Sequence, residues 1–154
     1  MEREGILASQ LLDEVCLMNE AFITLAVDSR SRPEVARVMR GCDLRKYTTG
    51  AVLEAYVDVE THKAHAFSWW LEVRWDQHQW VIESSVRQGH QDGQDVRIEF
   101  PDLVAESLDD LVQHLRHATH DLLASAKDFD FGCGPRALPR RAGTGAHPGC
   151  FPRS

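Results

Sequence analysis

Between Ala51 and Phe100 apolar and polar residues alternate with a period of two, and this pattern leaves few folds open. The clearest stretch runs from Phe67 to Trp75. Phe67, Trp69, Leu71, Val73 and Trp75 point one way, and Ser68, Trp70, Glu72 and Arg74 point the other. Residues 51–60 repeat the pattern, with Leu53, Ala55, Val57 and Val59 inward and Glu54, Tyr56, Asp58 and Glu60 outward. Trp80, Ile82, Ser84 and Val86 alternate with Val81, Glu83, Ser85 and Arg87, and Val96, Ile98 and Phe100 with Arg97 and Glu99. The connections are too short for parallel crossovers, so the spacing predicts a four-stranded antiparallel meander with one apolar and one polar face.

Helical periodicity flanks the sheet. Leu11, Leu12, Val15, Met18, Phe22, Leu25 and Ala26 predict an amphipathic helix over 6–28. Ser31 and Glu34 have capping-box spacing around Pro33, which predicts a second short helix to Arg40 with Gly41 as its stop. Ser107, with Asp110 three residues on, caps a helix to about Ala126 whose buried stripe is Leu108, Leu111, Val112, Leu115, Thr119 and Leu122. The expected fold is therefore α+β in the order ααββββα, with the N- and C-terminal helices on the apolar face of the sheet. Residues 1–131 form one domain. Residues 132–154 hold five Gly, four Pro and few aliphatic residues, a composition read as a disordered tail.

Charge narrows the function. The tail carries Arg136, Arg140, Arg141 and Arg153 and no acid, so residues 1–131 hold 13 basic and 24 acidic residues, a net of −11. Such a body repels phosphate, which argues against nucleic acid and anionic membranes and suits a basic protein partner. Asp13, Glu14, Asn19 and Glu20 break the apolar stretch near residues 6–27, which fits neither a signal peptide nor a membrane span, so a cytoplasmic protein is expected. Cys16, Cys42, Cys133 and Cys150 make no C-x-x-C pair and are expected as free thiols. Cys16 falls near the apolar side of the first helix and reads as a packed thiol.

Chemistry-bearing patterns are sparse. His114, His117 and His120 spread over about 120° of the last helix, a spacing that fits solvated histidines better than metal ligands. His62 and His65 flank a turn. No G-x-S-x-G, H-E-x-x-H, P-loop or G-x-G-x-x-G sequence occurs, so neither a catalytic residue, a cofactor nor a metal is expected.

Register converts the alternation into a surface. A two-residue turn at Gln77-His78 pairs Trp75 with Trp80, and so Glu72 with Glu83 and Trp70 with Ser85. A three-residue turn at His62-Lys63-Ala64 sets Glu54 opposite Glu72 and Tyr56 opposite Trp70. The outward face then carries a transverse row Glu54–Glu72–Glu83 beside a row Tyr56–Trp70–Ser85, with Asp58 beyond, and with Arg74, Arg87 and Arg97 as diagonal neighbours. Carboxylates beside an exposed indole form a docking patch for Arg or Lys side chains. Glu54, Tyr56, Asp58, Trp70, Glu72 and Glu83 are the candidate partner-binding residues.

The stretch Trp69-Trp70-Leu71-Glu72-Val73-Arg74-Trp75 with Trp80-Val81-Ile82-Glu83 resembles the small immunity proteins of bacterial polymorphic-toxin systems, of the TriTu type. The resemblance covers about residues 50–125 and is one of style (small, acidic, Trp-rich, α+β), with no motif matched residue by residue. It implies a protein that binds and blocks a cognate toxin; the acidic body and the open sheet face add the expectation of a basic toxin domain docked on that face. Two other readings compete. A chaperone of a secreted effector is also small, acidic and α+β, but calls for a dimer interface that the strands do not display. A small enzyme using paired carboxylates lacks an outward His beside an acid.

The tail reading has a direct test. Deleting residues 132–154 is expected to leave the melting temperature unchanged in a calorimetric scan, because disordered residues bury little apolar area.

Overall fold

The computed structural model describes residues 2–44, 51–89 and 95–131. Helix α1 (Glu2–Arg30) leads into strands β1 (Val35–Leu44), β2 (Ala51–Thr61), β3 (Ala66–Asp76), β4 (Gln79–Gln88), β5 (Asp95–Glu99) and β6 (Leu103–Ala105). Helix α2 (Leu108–Lys127) follows. The fold is α+β, with a six-stranded antiparallel sheet in the order β1-β2-β3-β4-β5 and β6 beside β4. Both helices lie on one face, α1 against β1 and β2 and α2 against β3, β4 and β6. The tail expected over 132–154 lies outside the described residues.

The order ααββββα is corrected in two places. The helix expected over 31–40 is instead the edge strand β1, and a short strand β6 precedes α2. The helix expectation rests on the capping-box spacing of Ser31 and Glu34, which belongs instead to the turn between α1 and β1. The β1–β2 register shifts between Val35 and Arg37, so Val35 opposes Thr61 while Val38 opposes Val59. Both valines are buried, three residues apart. A β-bulge thus mimics the i, i+3 spacing of a helix. Ser31 does not cap a new helix; its Oγ donates to the Asp28 carbonyl at 2.6 Å, closing the end of α1.

The other elements follow from their local signals. Ser107 is the N-cap of α2, its side chain accepting from the Asp110 amide at 3.1 Å. The hairpin from β3 to β4 turns on Gln77 and His78, whose φ angles of 45° and 73° are both left-handed, as a tight hairpin turn demands. The β2–β3 turn ends on Ala64 at φ 61°, with the Thr61 amide donating to the His65 carbonyl at 2.8 Å. These turns set Trp75 against Trp80 and Glu54 against Glu72, the registers predicted.

The core is centred on Trp69, which has no exposed surface. Its ring meets Phe129 edge-on at 4.7 Å and Phe131 at 5.7 Å, and its Nε1 donates to Ser125 Oγ of α2 at 3.2 Å. Phe67 completes the cluster, 5.0 Å from Phe129. The segment after α2 therefore folds back over the end of β3. Arg32 holds it there: Nη2 donates to the Phe129 carbonyl at 2.9 Å and the guanidinium lies 5.0 Å over the Phe131 ring. Between the helices, Arg116 of α2 donates through Nε to Glu14 Oε1 at 2.9 Å, satisfying a glutamate that is only 6% exposed.

Trp75 is a second correction. It has inward parity, but at the hairpin tip it remains 44% exposed, leaning on Trp80 at a ring distance of 4.7 Å. Trp69→Ala is expected to cost about 3–5 kcal/mol in urea denaturation, and Trp75→Ala far less. His78→Gly relieves a left-handed conformation and is expected to raise stability by about 1 kcal/mol.

Candidate functional site

The face of the sheet opposite the helices carries three transverse rows of side chains, set by the ladder registers. The first is Asp43–Glu54–Glu72–Glu83, on β1 to β4. The second is Gly41–Tyr56–Trp70–Ser85–Glu99. The third is Met39–Asp58–Ser68–Arg87–Val96. Adjacent strands lie about 4.8 Å apart, so the four carboxylates of the first row span about 14 Å.

All six predicted partner-binding residues, Glu54, Tyr56, Asp58, Trp70, Glu72 and Glu83, lie together on this face and are half-buried. Sequence reasoning missed Asp43 and Gly41, because β1 had the appearance of a helix. Gly41 has a specific role: a Cβ there would stand 2.6 Å from the Tyr56 ring, so the missing side chain is the space in which that ring lies across the edge strand.

The rows are cross-linked. Trp70 Nε1 donates to Glu54 Oε1 at 3.1 Å, tying the indole to the carboxylate row. The Arg87 guanidinium lies 4.6 Å over the Trp70 ring, and its Nε donates to Ser85 Oγ at 3.0 Å. Arg74 Nη2 pairs with Glu83 Oε1 at 2.6 Å. At the margin Arg37 pairs with Glu60 at 3.0 Å. Two of the three expected neutralising arginines, Arg74 and Arg87, thus face the rows. Arg97 sits where the β4–β5 register shifts, and its Nε is buried without a hydrogen-bond partner among the described residues.

Glu72 is the exception in this network. Among the described residues no hydrogen bond or ion pair reaches it. Burial, then the neighbouring Glu83 and Glu54 carboxylates, push its pKa up from the ordinary value; Arg74 and Arg87 pull it back only in part. The centre of the row is a carboxylate whose negative charge is held at a disadvantage, and a cation brought onto the face would remove that disadvantage.

Other predicted features do not assemble into a site. His117 Nε2 lies 3.3 Å from Asp121 Oδ2, His120 is exposed, and His114 is half-buried with Nδ1 enclosed and without a hydrogen-bond partner among the described residues. Among the described residues no three His, Cys, Asp or Glu side chains converge as ligands of a metal ion. Cys16 is exposed rather than packed. Cys42, half-buried on the edge strand, has its thiol pKa raised by burial and by Asp43. A cleft of ≈520 Å³ between the C-terminal ends of the helices, lined by Leu25, Asp28, Arg32, His120, Lys127 and Phe131, was not foreseen. No described helix is long and apolar enough to cross a membrane.

Comparison with known protein families, with curated proteins and with solved structures finds no match.

The elevated pKa of Glu72 carries a sign that can be measured. A carboxyl whose pKa is raised on folding binds its proton more tightly in the folded state, so it favours folding below the ordinary carboxylate value and loses that effect as pH rises through the folded pKa. Glu72→Gln is therefore expected to raise stability at neutral pH by a few tenths of a kcal/mol, a modest figure because the face is partly hydrated. In denaturation series the gain over the parent should shrink as pH falls and vanish below pH ~4.

Proposed function

We propose that this chain is a protein-binding protein whose open sheet face docks a basic partner, and that it acts as an immunity protein, blocking a cognate toxin by occupying the surface the toxin needs. The observation that carries this reading is the row Asp43–Glu54–Glu72–Glu83 with, at its centre, an electrostatically disfavoured Glu72 that no hydrogen bond or ion pair reaches among the described residues, and the Trp70 indole beside it. Like charges placed directly opposite on a sheet cost about 0.2–1 kcal/mol per pair. Glu54 accepts from Trp70 and Glu83 pairs with Arg74, so the cost falls on Glu72 between them, and an arriving Arg or Lys removes it. Binding at such a face gains from the release of carboxylate repulsion as well as from the new ion pairs.

Trp70 adds the apolar component. Its ring is held flat by Glu54 on one edge and covered by Arg87. Displacement of Arg87 by a partner's guanidinium would keep the stacking geometry and free Arg87 for the partner's own acids. The net of −11 over residues 1–131 draws a basic partner in and makes association salt-sensitive.

The test is co-expression with the product of the neighbouring gene, followed by calorimetric titration at several salt concentrations. The expected result is a stoichiometric complex with a folded toxic domain. The double variant Glu72→Gln, Glu83→Gln should bind about ten-fold more weakly at low salt, about 1.4 kcal/mol, with a shallower salt dependence. Equal affinity of parent and variant at low salt defeats the proposal, as does a complex with an extended segment of a secreted protein or turnover of a small molecule without a partner.

A further inference from the structure

Strand β1 is the outer strand of the sheet, and among the described residues nothing pairs with its far edge. A ten-residue edge of this kind displays a row of free backbone N–H and C=O groups, which ordinarily needs covering. Beside it, α1 shows an unusual surface. Leu12 is 64% and Val27 62% exposed, Cys16 is exposed, and Ile23 is half-buried. At about 100° per residue these four side chains fall in one stripe about 60° wide.

The position of that stripe on the molecule is fixed by two contacts. Glu14 faces α2, through Arg116. Asn19, on the other flank of the helix, accepts from Arg40 Nη1 of β1 at 3.2 Å. Continuing round the helix from Glu14 past Asn19, the next positions are Leu12, Ile23, Cys16 and Val27, all within about 80° of Asn19. The apolar stripe therefore overhangs the open edge of β1.

We propose that this edge and stripe form one interface, occupied by a second copy of the chain. A two-fold axis perpendicular to the sheet through Arg40 joins the two β1 strands antiparallel, making one continuous sheet with all helices on the same side. The pattern on β1 is self-complementary about that point. Arg37 comes opposite Asp43 of the partner subunit, and Val38 opposite Cys42 of the partner subunit. Opposite charges thus meet on the open face and apolar groups meet on the helix side, as an isologous interface requires. Arg37 then bridges Asp43 of the partner subunit and its own Glu60, with which it already pairs.

The same axis organises the helices. Because Asn19 is bonded to Arg40, the axis passes α1 beside Asn19 and Glu20. Antiparallel helices crossing there set Leu12 against Val27 of the partner subunit and Cys16 against Ile23 of the partner subunit. The stripe is symmetric about the height of Arg40, so one axis satisfies strand and helix together. The two Arg40 side chains meet at the axis, each held by the Asn19 of its own α1. The interface shares Asp43 with the outer end of the carboxylate row but leaves Trp70, Glu72 and Glu83 uncovered, and its test reads the mass of the chain alone, independently of the partner proposed above.

Light scattering on the full chain during size-exclusion chromatography should give twice the protomer mass of 17.4 kDa. Leu12→Glu with Val27→Glu should halve that mass while leaving the far-ultraviolet circular dichroism unchanged, since both sites are exposed. Ile23→Cys should yield, under mild oxidation, a covalent dimer on non-reducing gels that neither the parent nor Ile23→Cys with Cys16→Ser gives. A mass of one protomer at every concentration up to ~100 µM overturns the proposal. So does a dimer that the glutamate pair leaves intact, or one in which the thiol introduced by Ile23→Cys fails to link to Cys16.

Discussion

Full burial of Trp69 is the constraint on which the rest of this structure depends. An indole enclosed by Phe67, Phe129 and Phe131, with its N–H satisfied by Ser125, admits no alternative orientation of β3. Once Trp69 points to the helices, its neighbour Trp70 must point away, and the period of two carries that assignment through every residue of the strand. The two tight turns then transmit it to β2 and β4. The carboxylate row is a by-product of this parity: Glu54, Glu72 and Glu83 are brought together because the residues beside them are needed in the core.

This explains why some of the architecture was legible in the sequence and some was not. The central strands declared themselves because their alternation is uninterrupted and their connections are short enough to set the register. At β1 the capping-box spacing of Ser31 and Glu34 reads as the start of a helix stopped by Gly41, and the bulge that sets Val35 and Val38 three residues apart hides the alternation of a strand. Asp43 and Gly41 were lost to the candidate site for that reason alone. Strand β6 is three residues long, below the length at which alternation can be distinguished from chance. Trp75 followed the parity rule but lies at a hairpin tip, and parity states direction rather than coverage. The exposed stripe of α1 was invisible for another reason: α1 is apolar on more than one side, and only the contacts of Asn19 and Glu14 show which apolar positions are left over.

Two opposed electrostatic solutions coexist in the molecule. In the helix layer the buried Glu14 is matched by Arg116, so the charge is satisfied within the fold. On the open sheet face Arg74 and Arg87 are nearby, yet each is committed elsewhere, to Glu83 and to the Trp70 ring, and Glu72 at the centre has no hydrogen bond or ion pair among the described residues. A fold optimised for stability alone would place a neutral or basic residue there. Carboxylate repulsion at one point of an otherwise well-paired surface is the kind of local cost that accompanies sites of interaction.

The four tryptophans, finally, occupy graded surroundings. Trp69 is sealed among phenylalanines, Trp80 is half-buried, Trp75 stands in water at a hairpin tip, and Trp70 lies beneath a guanidinium on the open face. Indole emission responds to the polarity and charge of its surroundings, so the chain contains its own set of optical reporters. Trp69 supplies an unchanging reference as long as the core is intact, while any molecule that lifts Arg87 from Trp70 alters the light emitted from that ring. Occupancy of the carboxylate face is thereby coupled to an intrinsic fluorescence signal that needs no label.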